Sequence, residues 1–193
     1  MNCYSKAIGS EITVDAGKKI LLDLFTGSLR FVVPVYQRRY SWGEAQCRQL
    51  WADIIAAGRR PDRTHFTGSV VWMQEGGISP DGVSRCLLID GQQRLTSVTL
   101  LLIALAEYAH EHPENLRFST DMIIDRGYLV DKYATGEGRC KLTLSGDDRD
   151  VLRGMCDHVL ALDRPNHGNQ AGQRPSWKRT SICSVPWSPQ SMT

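Results

Sequence analysis

The chain has 193 residues, 41% hydrophobic and 23% charged, which suits one domain with appendages and leaves room for a sizeable core. A formal net charge of +2 is nearly neutral, so composition makes no general case for nucleic-acid binding, and pairs such as Arg38-Arg39 and Arg59-Arg60 read as solvated surface. The six cysteines form no Cys-x-x-Cys pair, Met1–Glu11 has no signal-peptide core and the apolar run Val98–Ala106 is too short for a bilayer, all of which argues against zinc, secretion and membrane spanning and for reduced thiols in a cytoplasmic protein.

Residues 1–14 read as a polar N-terminal extension. A helix is predicted from Asp15 through Phe25, with Ile20, Leu21, Leu24 and Phe25 on one face and Gly27 ending it. Leu29–Val33 is β-rich and stops at Pro34. The stretch Pro34–Trp42 interleaves Tyr36, Tyr40 and Trp42 with Arg38 and Arg39 and shows no period. Ser41 then reads as an N-cap completed by Glu44, opening a helix on which Cys47, Leu50, Trp51, Ile54 and Ile55 recur at three- and four-residue spacings. Gly58 and Pro61 close that helix.

His65–Met73 is predicted as a strand, followed by turn signals at Gly76-Gly77 and Pro80-Asp81-Gly82. Arg85–Ile89 is the next strand, antiparallel to it. Leu95–Tyr108 is apolar nearly all round and is expected to be the central buried helix. Asp121–Tyr133 reads as helix, Arg139–Leu144 as a short strand, and Ser145 with Asp148 as the start of a helix reaching about Leu162. A domain over 15–163 therefore precedes a tail, 164–193, that has no Asp or Glu, holds four of the eight prolines and reads as irregular or disordered.

The richest chemistry lies at Asp90-Gly91-Gln92-Gln93-Arg94. An Asp-Gly turn between a strand and a helix gathers free backbone N–H groups at the positive end of the helix dipole, which favours an anion such as phosphate. Gly91 permits the tight turn and close approach. Arg94 in the first turn closes its guanidinium fork over the anion, and Gln92 and Gln93 add neutral donors and acceptors. Asp90 either holds a divalent cation such as magnesium and orients a water, or caps the helix. Thr96 is a further phosphate ligand or a helix-face residue.

A second cluster, Tyr36, Gln37 and Arg38, offers a ring to stack on a base and a guanidinium for the same phosphates, or else packs and pairs. Trp42 is assigned to packing. Gly68 and Ser69 border the phosphate site if their strand lies beside the one ending at Asp90. His65 is a candidate acid or base against the plainer reading of a structural histidine.

Three segments, Val33–Trp42, His65–Val71 and Ile89–Thr96, together resemble the DUF262 domain, the N-terminal domain of GmrSD-type modification-dependent restriction enzymes. Lys141–Leu144 followed by Asp147-Asp148-Arg149 continues the likeness, which covers roughly residues 15–160. The resemblance implies an α/β (α+β) fold of the ParB/sulfiredoxin type, a small mixed sheet packed against helices. It also implies binding and hydrolysis of a nucleoside triphosphate at the Asp90–Arg94 motif, with Asp90, Gln93 and Arg94 catalytic, in a system that defends against phage DNA. In such enzymes DNA cutting belongs to a C-terminal nuclease domain, so the chain reads as a truncated or stand-alone module, and the abrupt change of its tail suggests a premature or frame-shifted end. Its expected partners are a nucleotide, modified DNA and a nuclease subunit. A non-catalytic DNA- or partner-binding module is the alternative. Sulfinic-acid reduction is excluded, because Gln92 stands where sulfiredoxin has its nucleophilic thiol. Direct nuclease action is disfavoured, since no His-x-Asn or carboxylate cluster is evident.

Overall fold

A computed structural model describes residues 2–4, 7–8, 11–12, 16–60, 62, 64–75, 83–114, 120–125, 127–131 and 139–162. The expected turns at 76–82 and the tail after 163 lie outside the described residues. The strands are β1 (Asn2–Tyr4), β2 (Ala7–Ile8), β3 (Glu11–Ile12), β4 (Ala16–Lys18), β5 (Leu29–Val32), β6 (Val70–Gln74), β7 (Ser84–Asp90) and β8 (Leu142–Thr143). The helices are α1 (Asp23–Thr26), α2 (Glu44–Arg59), α3 (Gln92–Glu111), α4 (Thr120–Asp125) and α5 (Asp147–Leu162). The fold is α/β: a mixed sheet in the order β4-β1-β6-β7-β5-β8 with helices packed against it, and β2 and β3 pair separately.

β6 and β7 are antiparallel, as the sequence predicts, while β5 runs parallel to both β7 and β8. The predicted helix over 15–25 is corrected. Ala16–Lys18 pairs with Asn2–Tyr4 as a strand, and only Asp23–Thr26 is helical. Gly17 opposite Cys3 is a poor helix residue, and pairing at the sheet edge satisfies the backbone instead. Of the four residues expected on a buried face, Leu24 and Phe25 are buried but Ile20 is exposed.

Three other boundaries move for physical reasons. Gly43, not Ser41, is the N-cap of α2, because Ser41 and Trp42 give their N–H groups to the Gln93 side chain and stay non-helical. Gln46 Oε1 accepts from the Gly43 N–H at 3.1 Å, so the capping device survives two residues along. β6 starts at Val70 rather than His65, since Gly68 has a φ of 103° that no strand accommodates. α4 ends at Asp125, where Gly127 turns left-handed (φ 69°) and leads into the antiparallel bridge between Val130 and Cys140.

The helix α3 is the centre of the molecule. It packs on α4 and α5, and its buried residues include Leu95, Val98, Leu100, Leu102, Ile103 and Ala106. From the sheet, Phe31, Val70, Trp72, Cys86 and Leu88 complete the core, with Phe31 and Trp72 edge-on at 5.6 Å between ring centroids. Two of the buried polar residues of α3 have partners within the helix: Ser97 Oγ donates to Gln93 O at 2.9 Å and Thr99 Oγ1 to Leu95 O at 2.8 Å. Cys47, Cys86, Cys140 and Cys156 are free and buried. Among the described residues no helix is long and apolar enough to cross a membrane.

Candidate functional site

The β7-to-α3 junction is shaped by a β-bulge. Val71 pairs with Asp90 but Trp72 pairs with Leu88, so β7 carries one extra residue, Ile89. Cys86 and Leu88 face the core, and strict alternation would send Asp90 there too. The inserted residue reverses the phase and leaves Asp90 exposed. The side chain of Gln37 secures the bulge, its Nε2 donating to Ile89 O at 2.9 Å and lying 3.4 Å from Leu88 O.

Gly91 then turns the chain into α3 with a φ of 93°. A Cβ there would sit 2.9 Å from Val70 Cγ2 and 3.2 Å from Ser69 O, so only glycine fits between β6 and the helix start. Arg94, in the first turn, reaches back across that gap and donates from Nη1 to Ser69 O at 2.7 Å. Its guanidinium fills the space that a side chain on Gly68 would need, with Cζ only 2.6 Å from an ideal Cβ. Gly68, Ser69, Gly91 and Arg94 are thus one interlocked unit.

The other wall is the loop before α2. Gln93, buried at 8% exposure, holds it by accepting from Ser41 N (2.7 Å) and Trp42 N (3.2 Å) and donating to Arg39 O (3.1 Å). Asp147 and Asp148 in the first turn of α5 brace the same loop. Arg39 Nη2 meets Asp147 Oδ2 at 2.9 Å, and Tyr40 N lies 3.4 Å from Asp148 Oδ2. Tyr40 turns inward, its hydroxyl 2.8 Å from Ser97 Oγ and 3.4 Å from Cys47 Sγ. Burial, reinforced by Cys47, pushes that hydroxyl well above the usual tyrosine range, so it stays protonated.

Between the walls lies an open cavity of about 180 Å³, lined by Gln37, Arg38, Trp42 and the whole run Asp90–Arg94. A family model described as the GmrSD restriction endonuclease N-terminal domain matches residues 21–175, most of the chain. The chain belongs to that family. No match was found among curated proteins.

In this GmrSD N-terminal domain the cavity gathers Gln37, Arg38, Asp90, Gly91, Gln92, Gln93 and Arg94 of the sequence-derived candidates, and Gly68 and Ser69 stand behind Arg94. Tyr36 is 75% exposed and does not line the cavity. Thr96 is fully buried, with an Oγ1 that has no hydrogen-bond partner among the described residues. His65 lies elsewhere: it lines a different groove and its Nε2 is 3.6 Å from Asp53 Oδ2. Trp42 lines the cavity, although the sequence assigns it to packing, and it does both, since its ring also rests on the core. Its place in the same irregular segment as Arg38 was the available signal. The bracing by Asp147 and Asp148 had none, because those residues stand more than a hundred positions away.

The site's charges are Arg38 and Arg94 against Asp90. An excess of one positive charge beside a helix N-terminus favours an anion. Gln92 adds a buried amide whose Oε1 has no partner among the described residues. Among the described residues no group of three or more His, Cys, Asp or Glu side chains is arranged to hold a metal by itself.

Proposed function

We propose that this domain binds a nucleoside triphosphate by its phosphates in the Asp90–Arg94 cavity and hydrolyses it, as the regulatory part of a DNA-restriction system. The observation that carries the reading is the conjunction of Gly91 at the helix start with Arg94 locked against Ser69 and Arg38 facing it across the cavity. A cavity of about 180 Å³ is small beside the roughly 300–1,000 Å³ of most ligand pockets, so it suits the phosphate end of a nucleotide, with the base toward the exposed Tyr36. In this reading Arg94 keeps one N–H on Ser69 and offers the others to phosphate oxygens. Arg38 closes from the opposite wall. The exposed carboxylate of Asp90 fits a magnesium ion shared with the nucleotide's own phosphates, the usual arrangement when protein supplies only one carboxylate. The ion would neutralise phosphate charge and orient the attacking water. Gln93 acts by positioning the loop that carries Arg38 and Trp42.

Phosphate release by the purified chain with each nucleoside triphosphate and magnesium, compared with Arg94→Ala, tests this. Turnover that falls at least about tenfold in the variant is expected, as for loss of a charge-stabilising donor. Equal rates in the two proteins would sink catalysis. The exposed turn at Val35 and Tyr36 favours a second reading, a non-catalytic module that contacts DNA or a nuclease subunit. Nucleotide-independent binding without any turnover would select it.

A further inference from the structure

The far end of α2 carries a second cavity. It has a volume of about 440 Å³ and is lined by Ala56, Ala57, Arg59, Arg60, Thr64 and His65. Arg59 and Arg60 are exposed and make no ion pair among the described residues, and Lys18 is drawn in to donate from Nζ to Thr64 Oγ1 at 3.3 Å. The acids nearby are Asp53, occupied by His65 at 3.6 Å and by Gln49 at 2.9 Å, and the exposed Asp62. Two guanidiniums with no ion-pair partner among the described residues therefore line a concavity, and the Lys18 ammonium is held beside it through Thr64. Lys19, also exposed, and the neighbouring Arg63 add charge in the sequence.

This groove is separate from the Asp90 cavity. Trp42, which lines the latter, lies two residues before the start of α2, whereas Arg59 ends it. The intervening helix has 16 residues, about 24 Å at ~1.5 Å per residue, so one bound nucleotide cannot touch both.

We propose that the groove lined by Arg59, Arg60, Thr64 and His65, with Lys18 bonded to Thr64 beside it, binds the phosphate backbone of duplex DNA. Guanidinium forks match phosphate oxygens two at a time, and the Thr64 hydroxyl and His65 ring supply further polar contacts of the kind made to DNA backbones. Among the described lining residues the apolar side chains are those of the two alanines, which are too small to anchor the side chains of an acidic peptide. DNA is also the polymer on which a restriction system acts. The contacts run to phosphates alone, so binding here is independent of base sequence and of base modification.

The test uses the whole chain and a short fluorescein-labelled duplex, read by anisotropy from about 50 to 200 mM salt. Native protein should bind at low salt, with log affinity falling linearly with log salt. Arg59→Ala/Arg60→Ala should weaken binding roughly tenfold at low salt and flatten the slope by about 1.8, two phosphate contacts' worth. Arg59→Lys/Arg60→Lys should keep most of the affinity, which a merely unfolded or misfolded variant would not explain. Absence of duplex binding by the native chain, an unchanged slope in the alanine variant, loss in the lysine variant as large as in the alanine one, or equal affinity for poly-glutamate or anionic vesicles would each overturn the proposal.

Discussion

Gly68→Ala is the sharpest test of how the site is built. The substitution meets two obstacles. A φ of 103° puts an alanine in a sparsely allowed region, at about 1–3 kcal/mol. The new methyl would also lie 2.6 Å from Arg94 Cζ and 3.1 Å from its Nε, so the guanidinium must leave Ser69 O, to which it donates at 2.7 Å. A charged hydrogen bond of this kind contributes about 1.5–3 kcal/mol when buried, and the partly buried Arg94 recovers part of that from water. The combined loss is about 3 kcal/mol, or roughly 6–12 °C in Tm for a domain of this size. A double-mutant cycle with Arg94→Ala, measured by urea denaturation, separates the two terms. Once the guanidinium is gone, Gly68→Ala should cost only the backbone strain, leaving a coupling of about 1–2 kcal/mol. Costs that add to within ~0.5 kcal/mol would show that the two residues do not touch, and the interlocked unit would be refuted.

Gln93→Leu strips three hydrogen bonds from the loop at Arg39, Ser41 and Trp42, so it should cost roughly 2–4 kcal/mol and speed trypsin cleavage after Arg38 and Arg39; digestion at the native rate would mean the loop is held by something else. Burial, with the charge of Glu75 adding to it, pushes the Cys86 thiol up to about 11, so iodoacetamide at a pH of about 8.5 should leave Cys86 unmodified in the native chain and label it after unfolding. Prompt native labelling of Cys86 in a peptide map would contradict its place in the core. Burial pulls the Lys141 ammonium below its ordinary value of 10.5, while its Nζ donates to Gly27 O at 2.7 Å. Between the lowered and the ordinary value the unfolded chain holds more protons than the folded one, so stability measured against Lys141→Met should rise with pH through that window and level off above it. A difference in urea midpoints that falls with pH there would reverse the sign and refute the burial argument.

Much of the architecture was legible because it depends on local pattern. The all-round apolar character of Leu95–Tyr108 announced a central helix, and the β-rich run Leu29–Val33 before Pro34 announced a strand. The Asp-Gly turn between an apolar strand and that helix placed the candidate site, since glycine and a helix start act over a few residues. The helix predicted at 15–25 failed because its segment finds a partner in Asn2–Tyr4, a choice that no window around it contains. His65 was grouped with the site by its motif, yet Gly68 and Arg94 turn only the last residues of that segment toward the cavity.

The sequence by itself determined the secondary-structure core, the strand-to-helix turn at Asp90-Gly91 and the residue types available for an anion, while α3 begins at Gln92, three residues before the expected Leu95. Only the tertiary structure decided their roles. The bulge at Ile89 sends Asp90 outward, Gln37 and Gln93 become the fasteners of the bulge and the loop, and Arg94 is fixed by Ser69. The physical reason is that these outcomes depend on unpaired backbone groups left by strand register and loop packing. Such groups belong to pairs of segments far apart in the chain, and the side chain that satisfies them is chosen by proximity in space.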